Sequence, residues 1–504
     1  MSIDGGESPA LASKVAKGAA VMGFTRLLAR TMGLVSTVIL ARLLMPEDFG
    51  LVAIALSYIH FFIGISDLNF QKALITESDP TDADFSTAWT LNVLRGVALS
   101  LITLASSSFL PAMLDEPRLG PVIAVLSVFP LLEGSANAKF ITFEKNLDFS
   151  REMILAVGTK FLSVVLTVVL AFLLKNYWVL VIGTLFGAFA KVTLSFALMP
   201  FRPSFTFASH RKLIQFSGWL MGATLLRSVG QQMDKLIVAA LLGTKTTGIY
   251  HVGQQLAQIP TTEMIAPLNR ALHPAFSSVR KSGGDMKSKA LESAEILGAL
   301  ALPVGVGFAM VAHELIAIIY GEKWLEATIV LQILVPALAI ERVATVADSI
   351  ALALGHTKRI FTRQTIVTLF ALSMQVLGGY LWGLIGILAA FAAARIVALF
   401  LNLMMLQHML GTPSYLYILR IRRSVLAVTG MALLIYFAEQ NGWFTDMHLY
   451  LVAFLKVVMG AAAYTGIHMA AWYAEGRPNG FETRVLNVVK KRLFGGARDV
   501  KAGL

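Results

Sequence analysis

Along nearly its whole length the chain alternates apolar runs with short polar breaks. Each run is about 20 residues, the length an α-helix needs to cross about 30 Å of hydrocarbon. The strand alternation of a barrel is absent, so helices are the way to satisfy backbone hydrogen bonds inside lipid. The pattern predicts an all-α polytopic membrane protein with about fourteen transmembrane helices, over 18–41, 49–66, 85–110, 119–138, 152–174, 178–199, 213–242, 247–272, 290–313, 325–353, 360–382, 384–409, 421–438 and 448–473.

The breaks themselves repeat. "VILARLLMPEDFGLVAIA" (38–55) and "LIVAALLGTKTTGIY" (236–250) align when the chain is shifted by 198 residues, matching Ile39 with Ile237, Ala41 with Ala239, Leu43 with Leu241, Leu44 with Leu242 and Gly50 with Gly248. Both copies fall after an odd-numbered helix and have the same orientation. That implies two parallel six-helix lobes followed by two further helices. The expected organisation is a cytoplasmic segment 1–17, an N-lobe 18–199, a C-lobe 200–409, helices thirteen and fourteen within 410–473, and a basic tail 474–504.

Charge orients this plan, because Lys and Arg collect on the cytoplasmic side of membrane proteins. Of 42 Lys and Arg, the outside loops hold five: Arg42, Arg118, Lys175, Lys245 and Lys323. Ten lie well within spans, and the remaining 27 occupy inside segments or the span ends that border them. Both termini are therefore expected in the cytoplasm, and residues 1–17 hold no apolar core for a cleavable signal. A hydrophobic share of 56% and a charged share of 14% fit this class, so the net charge of +12 reads as topology plus affinity for anionic lipid. Nucleic acid is a poor partner for it. In the tail, Phe481, Val485, Val488, Val489 and Leu493 share a helical face beside Lys490, Lys491 and Arg492, as in-plane interfacial helices do; a plain topogenic cluster fits equally. There is no cysteine, no His-x-x-x-His pairing and no phosphate loop, so no metal centre or cofactor is expected.

The opening "GAAVMGFTRLLARTMGLVSTVILARLLMPEDFGLVAIA", with arginines in its first helix and the "ARLLMPEDFGLVA" turn, resembles the polysaccharide transporter family of the multidrug/oligosaccharidyl-lipid/polysaccharide exporter superfamily. "QQMDKLIVAALLGTKTTGIYHVGQQLAQIP" resembles the matching position of that family's second lobe, and the overall plan covers about residues 15–475. The resemblance implies movement of lipid-linked oligosaccharides, usually on undecaprenyl diphosphate, across the bacterial inner membrane for O-antigen, capsule or exopolysaccharide assembly. Polysaccharide polymerases and glycosyltransferases are then expected partners, beside membrane lipids. A groove for the lipid tail at helices thirteen and fourteen is implied in the same way.

Charges at bilayer depth supply the candidate site, since each costs several kcal/mol unless it faces protein or water. Arg26 and Arg30, at i and i+4, share one face of the first helix, and Arg95, Arg227 and Arg395 fall near the middle of helices three, seven and twelve. Gathered around one cavity, these guanidinium groups suit a diphosphate, which they bind by paired charge-assisted hydrogen bonds. Gln231, Gln254, Gln255 and Gln258 suit the hydroxyls of a sugar. The rival roles are snorkelling, for Arg26, and ion pairing between helices, for the others. Asp234, Glu263 and Asp348 are candidates for Na⁺ or H⁺ coupling, or for neutralising the arginines; Glu341 is expected to neutralise them, and beside it Arg342 is expected in a local or interhelical ion pair.

Three functions compete. The leading one is a flippase or exporter of lipid-linked oligosaccharide working by alternating access, with no enzymatic activity. A cation-coupled multidrug antiporter of the same fold would want an acidic cavity, whereas the first helix carries two arginines and no acid. A membrane polymerase or ligase acting on lipid-linked sugars would want a large outside loop, and the outside loops here are short.

Overall fold

A computed structural model describes the backbone of residues 9–77, 79–146, 148–263, 266–478 and 480–483; within these, the side chains of 9–17, 19, 215–224, 227, 262–271 and 273 are outside the description. The predicted tail helix, from residue 484 on, lies outside the described residues, as do residues 1–8. Every regular element described is helical.

The chain divides into two compact units, Met1–His251 and Val252–Leu504. The first contains α1 (Pro9–Leu43), α2 (Pro46–Ile65), α3 (Asp82–Ser106), a bent α4 (Leu119–Gly134), α5 (Phe149–Leu174), α6 (Trp178–Leu198) and most of α7 (His210–Gln258). The second contains α8 (Met286–Met310), α9 (Thr328–Arg342), α10 (Val346–Leu354), α11 (Thr357–Leu410), α12 (Ser414–Gln440) and α13 (Leu449–Ala474). Nine helices among the described residues are long and apolar enough to cross a membrane, or ten if the bent pair Leu119–Gly134 and Ala138–Lys145 counts as one span.

The difference from fourteen has physical causes. At about 1.5 Å per residue, the 54 residues of α11 would measure about 81 Å, far more than a bilayer. Trp382 and Gly383 leave helical geometry, and a Cβ placed on Gly386 would stand 1.9 Å from the Gly378 carbonyl oxygen. The helix therefore doubles back on itself, and its arms correspond to the expected spans 360–382 and 384–409. In α7 the break is Gly243, at φ +78°, a conformation open to glycine at little steric cost. There Tyr250 Oη donates to Asp234 Oδ2 at 2.9 Å, joining residues sixteen apart across the fold-back. The expected span 325–353 corresponds to α9 and α10 together, which form one apolar span, Glu322–Leu354.

Local chemistry explains the starts. Pro46 sits at the first position of α2, where its missing N–H costs nothing, and the Asp48 carboxylate accepts the Met45 backbone N–H at 2.9 Å. Thr81 and Asp84 cap α3 reciprocally, with Thr81 N–H donating to Asp84 Oδ2 at 2.9 Å and Asp84 N–H donating to Thr81 Oγ1 at 3.3 Å. Each unit has its own apolar core. In the first, Leu51, Ile54 and Ile59 of α2 pack with Leu119 and Ile123 of α4 and Val181 of α6. In the second, Leu297 and Ala301 of α8 pack with Val346 and Ile350 of α10 and Leu403 and Leu406 of α11. An ionic knot ties the second unit's helix ends: Arg423 of α12 donates to Glu295 of α8 at 2.7 Å and to Glu482, beyond α13, at 2.6 Å.

The two copies of the repeated turn meet each other. A Cβ on Gly50 would lie 1.8 Å from the Thr244 carbonyl oxygen, and one on Gly248 would lie 1.9 Å from the Pro46 carbonyl oxygen. These contacts are reciprocal, because the same shift of 198 relates Pro46 to Thr244 and Gly50 to Gly248. Only hydrogen in place of a side chain allows the two backbones so close. Glu116 secures the contact from the loop before α4. It accepts from Thr244 Oγ1 at 2.8 Å and is gripped through both oxygens by Arg118, at 2.8 Å each.

Two outcomes follow for this contact. Gly50→Val and Gly248→Val each destabilise the detergent-solubilised protein by about 1–3 kcal/mol, the usual cost of overpacking. The double variant loses less than the sum, since one displacement relieves both clashes; Gly23→Ala, at a position with open space around it, is the silent control in thermal unfolding. The Arg118 guanidinium, helped by Thr244 and opposed by burial, holds the Glu116 carboxyl below the usual carboxylate range. A depressed pKa contributes stability above the unfolded-state pKa and loses it as pH falls through the folded one. Acid titration of thermal stability therefore shows a loss below the ordinary carboxylate range that Glu116→Gln abolishes.

Candidate functional site

The candidate site starts from a cationic stripe on α1. Arg26, Arg30 and Gly33 fall at i, i+4 and i+7 and so lie along one stripe. Arg30 is about 15 Å from the start of the apolar stretch Ala20–Leu43, hence near mid-depth. Arg30 is half-buried, and Arg26, nearer the end, is exposed.

Lys160 of α5 meets this stripe. A Cβ on Gly33 would stand 3.3 Å from Lys160 Cε and 3.5 Å from its Nζ. Lys160 lies about 16 Å along α5, is exposed, and makes no ion pair among the described residues. Helices α1 and α5 thus adjoin at a seam, with Lys160 at the Gly33 end of the stripe that also bears Arg30 and Arg26. Lys160 is one of the ten bases well within spans and is not among the residues selected from the sequence for the site; the signal available was its central position in a span with no acid at helical spacing.

The other selected arginines are differently placed. Arg95 donates through Nη1 to Asp67 Oδ1 at 3.1 Å and to the Ser66 carbonyl at 3.4 Å, which fastens α3 to the end of α2. Arg395 donates to Glu341 at 3.2 Å and lies over the Phe391 ring at 4.5 Å. Glu341 thus neutralises an arginine of α11, in an interhelical ion pair. The side chain of Arg227 lies outside the described residues, as does that of Glu263.

Among the polar candidates, Gln231 and Gln258 are exposed, and Gln254 and Gln255 are half-buried. Asp234 is buried and engaged by Tyr250. Asp348 forms an ion pair with Arg363 at 2.7 Å, a partner from the start of α11 that sequence reasoning had not considered. No group of three or more His, Cys, Asp or Glu able to hold a metal ion occurs among the described residues.

Residues 39–329 match the family described as polysaccharide biosynthesis protein. The chain belongs to that family. Among its relatives is the lipopolysaccharide biosynthesis protein WzxC of Escherichia coli strain K12, 23% identical over 418 residues, or 81% of this chain and 84% of the relative. The succinoglycan biosynthesis transport protein ExoT of Rhizobium meliloti is 24% identical over 310 residues, 60% of this chain and 62% of that one. Among solved structures, the lipid II flippase MurJ in an inward closed conformation superposes with a TM-score of 0.69 at 15% identity, covering 90% of this chain and 99% of MurJ. The Vibrio cholerae MATE transporter VcmN follows with 0.54 at 14% identity, covering 81% and 99%. At these identities the likeness is one of fold. As a member of this family, with its succession of apolar helices, the chain is a multi-pass membrane protein.

The Arg95 contact is open to a direct test. In a double-mutant cycle of Arg95→Ala and Asp67→Ala, thermal unfolding yields a coupling of about 1 kcal/mol, the scale of a partly exposed pair. Independent losses would remove the assigned fastening role.

Proposed function

We propose that this protein is an inner-membrane flippase that moves lipid-linked oligosaccharide units, carried on undecaprenyl diphosphate, from the cytoplasmic to the periplasmic face by alternating access. The product would feed exopolysaccharide, capsule or O-antigen assembly, in company with a polymerase and glycosyltransferases. Both termini are placed in the cytoplasm on the Lys and Arg asymmetry.

One observation carries the reading: an exposed Lys160 at mid-depth, with no ion pair among the described residues, against the stripe that bears Arg26 and Arg30. A cation in that position is too costly against hydrocarbon, so the seam belongs to a wet cavity. Two kinds of donor there suit a diphosphate, guanidinium by paired hydrogen bonds and ammonium as a compact charge. The names of WzxC and ExoT, both tied to polysaccharide biosynthesis, and the MurJ-like fold support the same cargo class. Arg227 and the glutamine amides remain proposed contributors. Arg95 and Arg395 each already hold a carboxylate, so they contribute less free charge.

The direction has a physical drive. A diphosphate with about two negative charges moving outward across about 100 mV, inside negative, gains about 2.3 kcal/mol per charge. Coupling to Na⁺ or H⁺ through Asp234, Glu263 or Asp348 would add to this; Asp234 and Asp348 would first have to exchange Tyr250 and Arg363. Opening to the periplasm requires the tips at Gly50 and Gly248 to part.

Reconstituted vesicles carrying a labelled undecaprenyl-diphosphate oligosaccharide test the proposal. Arg30→Ala and Lys160→Ala each slow transfer between leaflets about tenfold or more, whereas Lys160→Arg retains most of it. Transfer at the wild-type rate in both alanine variants removes this site.

A further inference from the structure

The second unit carries an open cleft of about 600 Å³ at the end where α11 begins and its second arm finishes. One wall is basic, with Lys358, Arg359 and Arg363; the other is apolar, with Ile366, Leu401 and Met404. No carboxylate lines it. Ile366 and Met404 are exposed at 47% and 39%, so the apolar wall is uncovered.

The charges differ in how they are held. Arg363 is fixed: it donates to Asp348 at 2.7 Å and also to Asn402, and its buried Nε has no hydrogen-bond partner among the described residues. Lys358 and Arg359 make no ion pair among the described residues and stand exposed at the rim. By the proposed orientation this rim lies at the cytoplasmic boundary of the bilayer. A single ligand must therefore satisfy two free cations at headgroup level and cover apolar side chains one to two turns deeper.

We propose that this cleft binds an anionic glycerophospholipid of the cytoplasmic leaflet, its phosphate between Lys358 and Arg359 and one acyl chain along Ile366, Leu401 and Met404. A soluble phosphate satisfies the rim and leaves the apolar wall exposed; a zwitterionic lipid brings its own cation to a site that already has two. The bound lipid is a structural partner, separate from the cargo at the α1 and α5 seam, so this inference stands or fails without the flippase reading.

The test counts phosphatidylglycerol molecules retained by the purified full-length protein in native mass spectrometry, alongside phosphatidylcholine and undecaprenyl phosphate as competitors. Wild type retains phosphatidylglycerol over phosphatidylcholine. Lys358→Gln with Arg359→Gln weakens retention about thirtyfold, the equivalent of about 1 kcal/mol per base. Lys287→Gln with Lys289→Gln, which removes the same charge at the same end of the unit, leaves retention unchanged. Ile366→Ser provides a second arm that keeps both bases, and it also weakens retention. Equal loss in the Lys287 and Lys289 variant would mean a diffuse surface charge and overturn the site. Stoichiometric displacement by undecaprenyl phosphate would give the cleft to the carrier lipid, and competition by soluble glycerol phosphate at matched concentration would give it to free phosphate; either result overturns the proposal.

Discussion

A charge inside a bilayer must be paired, wetted or brought to the surface, and that constraint organises this molecule. Most Lys and Arg obey it by staying out of the spans. Several inside obey it by pairing: Arg95 with Asp67, Arg395 with Glu341, and buried Lys456 of α13 with Glu314 at 2.6 Å and with Glu439. Breaking the buried Lys456–Glu314 pair would leave an uncompensated charge, so it fastens its helices even where the pair itself adds little. Lys160 makes no ion pair among the described residues, and the proposed wet seam is how it would meet the same constraint.

The second organising feature is mechanical. Two copies of one turn, 198 residues apart, touch backbone to backbone because Gly50 and Gly248 carry no side chains. The Thr244–Glu116–Arg118 chain adds polar contacts beside it. In the proposed cycle these tips part while the apolar cores behind them stay packed.

Much of this was legible in the sequence. Apolar run length gave the helical membrane class, and the spacing of Gly50 and Gly248 marked both turns. The fold-backs were legible too: α11 breaks at Trp382 and Gly383, and α7 at Gly243, where the expected spans 360–382 and 384–409, and 213–242 and 247–272, are divided. Depth could be read for each arginine, yet pairing could not. Arg95 finds Asp67 and Arg363 finds Asp348 through tertiary geometry that sequence separation does not encode. Lys160 shows the same limit, since its relation to Arg30 depends on α5 packing across Gly33.

The account turns on the seam between α1 and α5 being open to water. The chain has no cysteine, so Lys160→Cys introduces a single thiol for labelling. In intact proteoliposomes a charged, membrane-impermeant thiol reagent should modify it rapidly, and a lipid-linked diphosphate should protect it. A thiol that stays inert to the aqueous reagent, yet reacts with a lipid-soluble one, would place this residue against hydrocarbon and contradict the account.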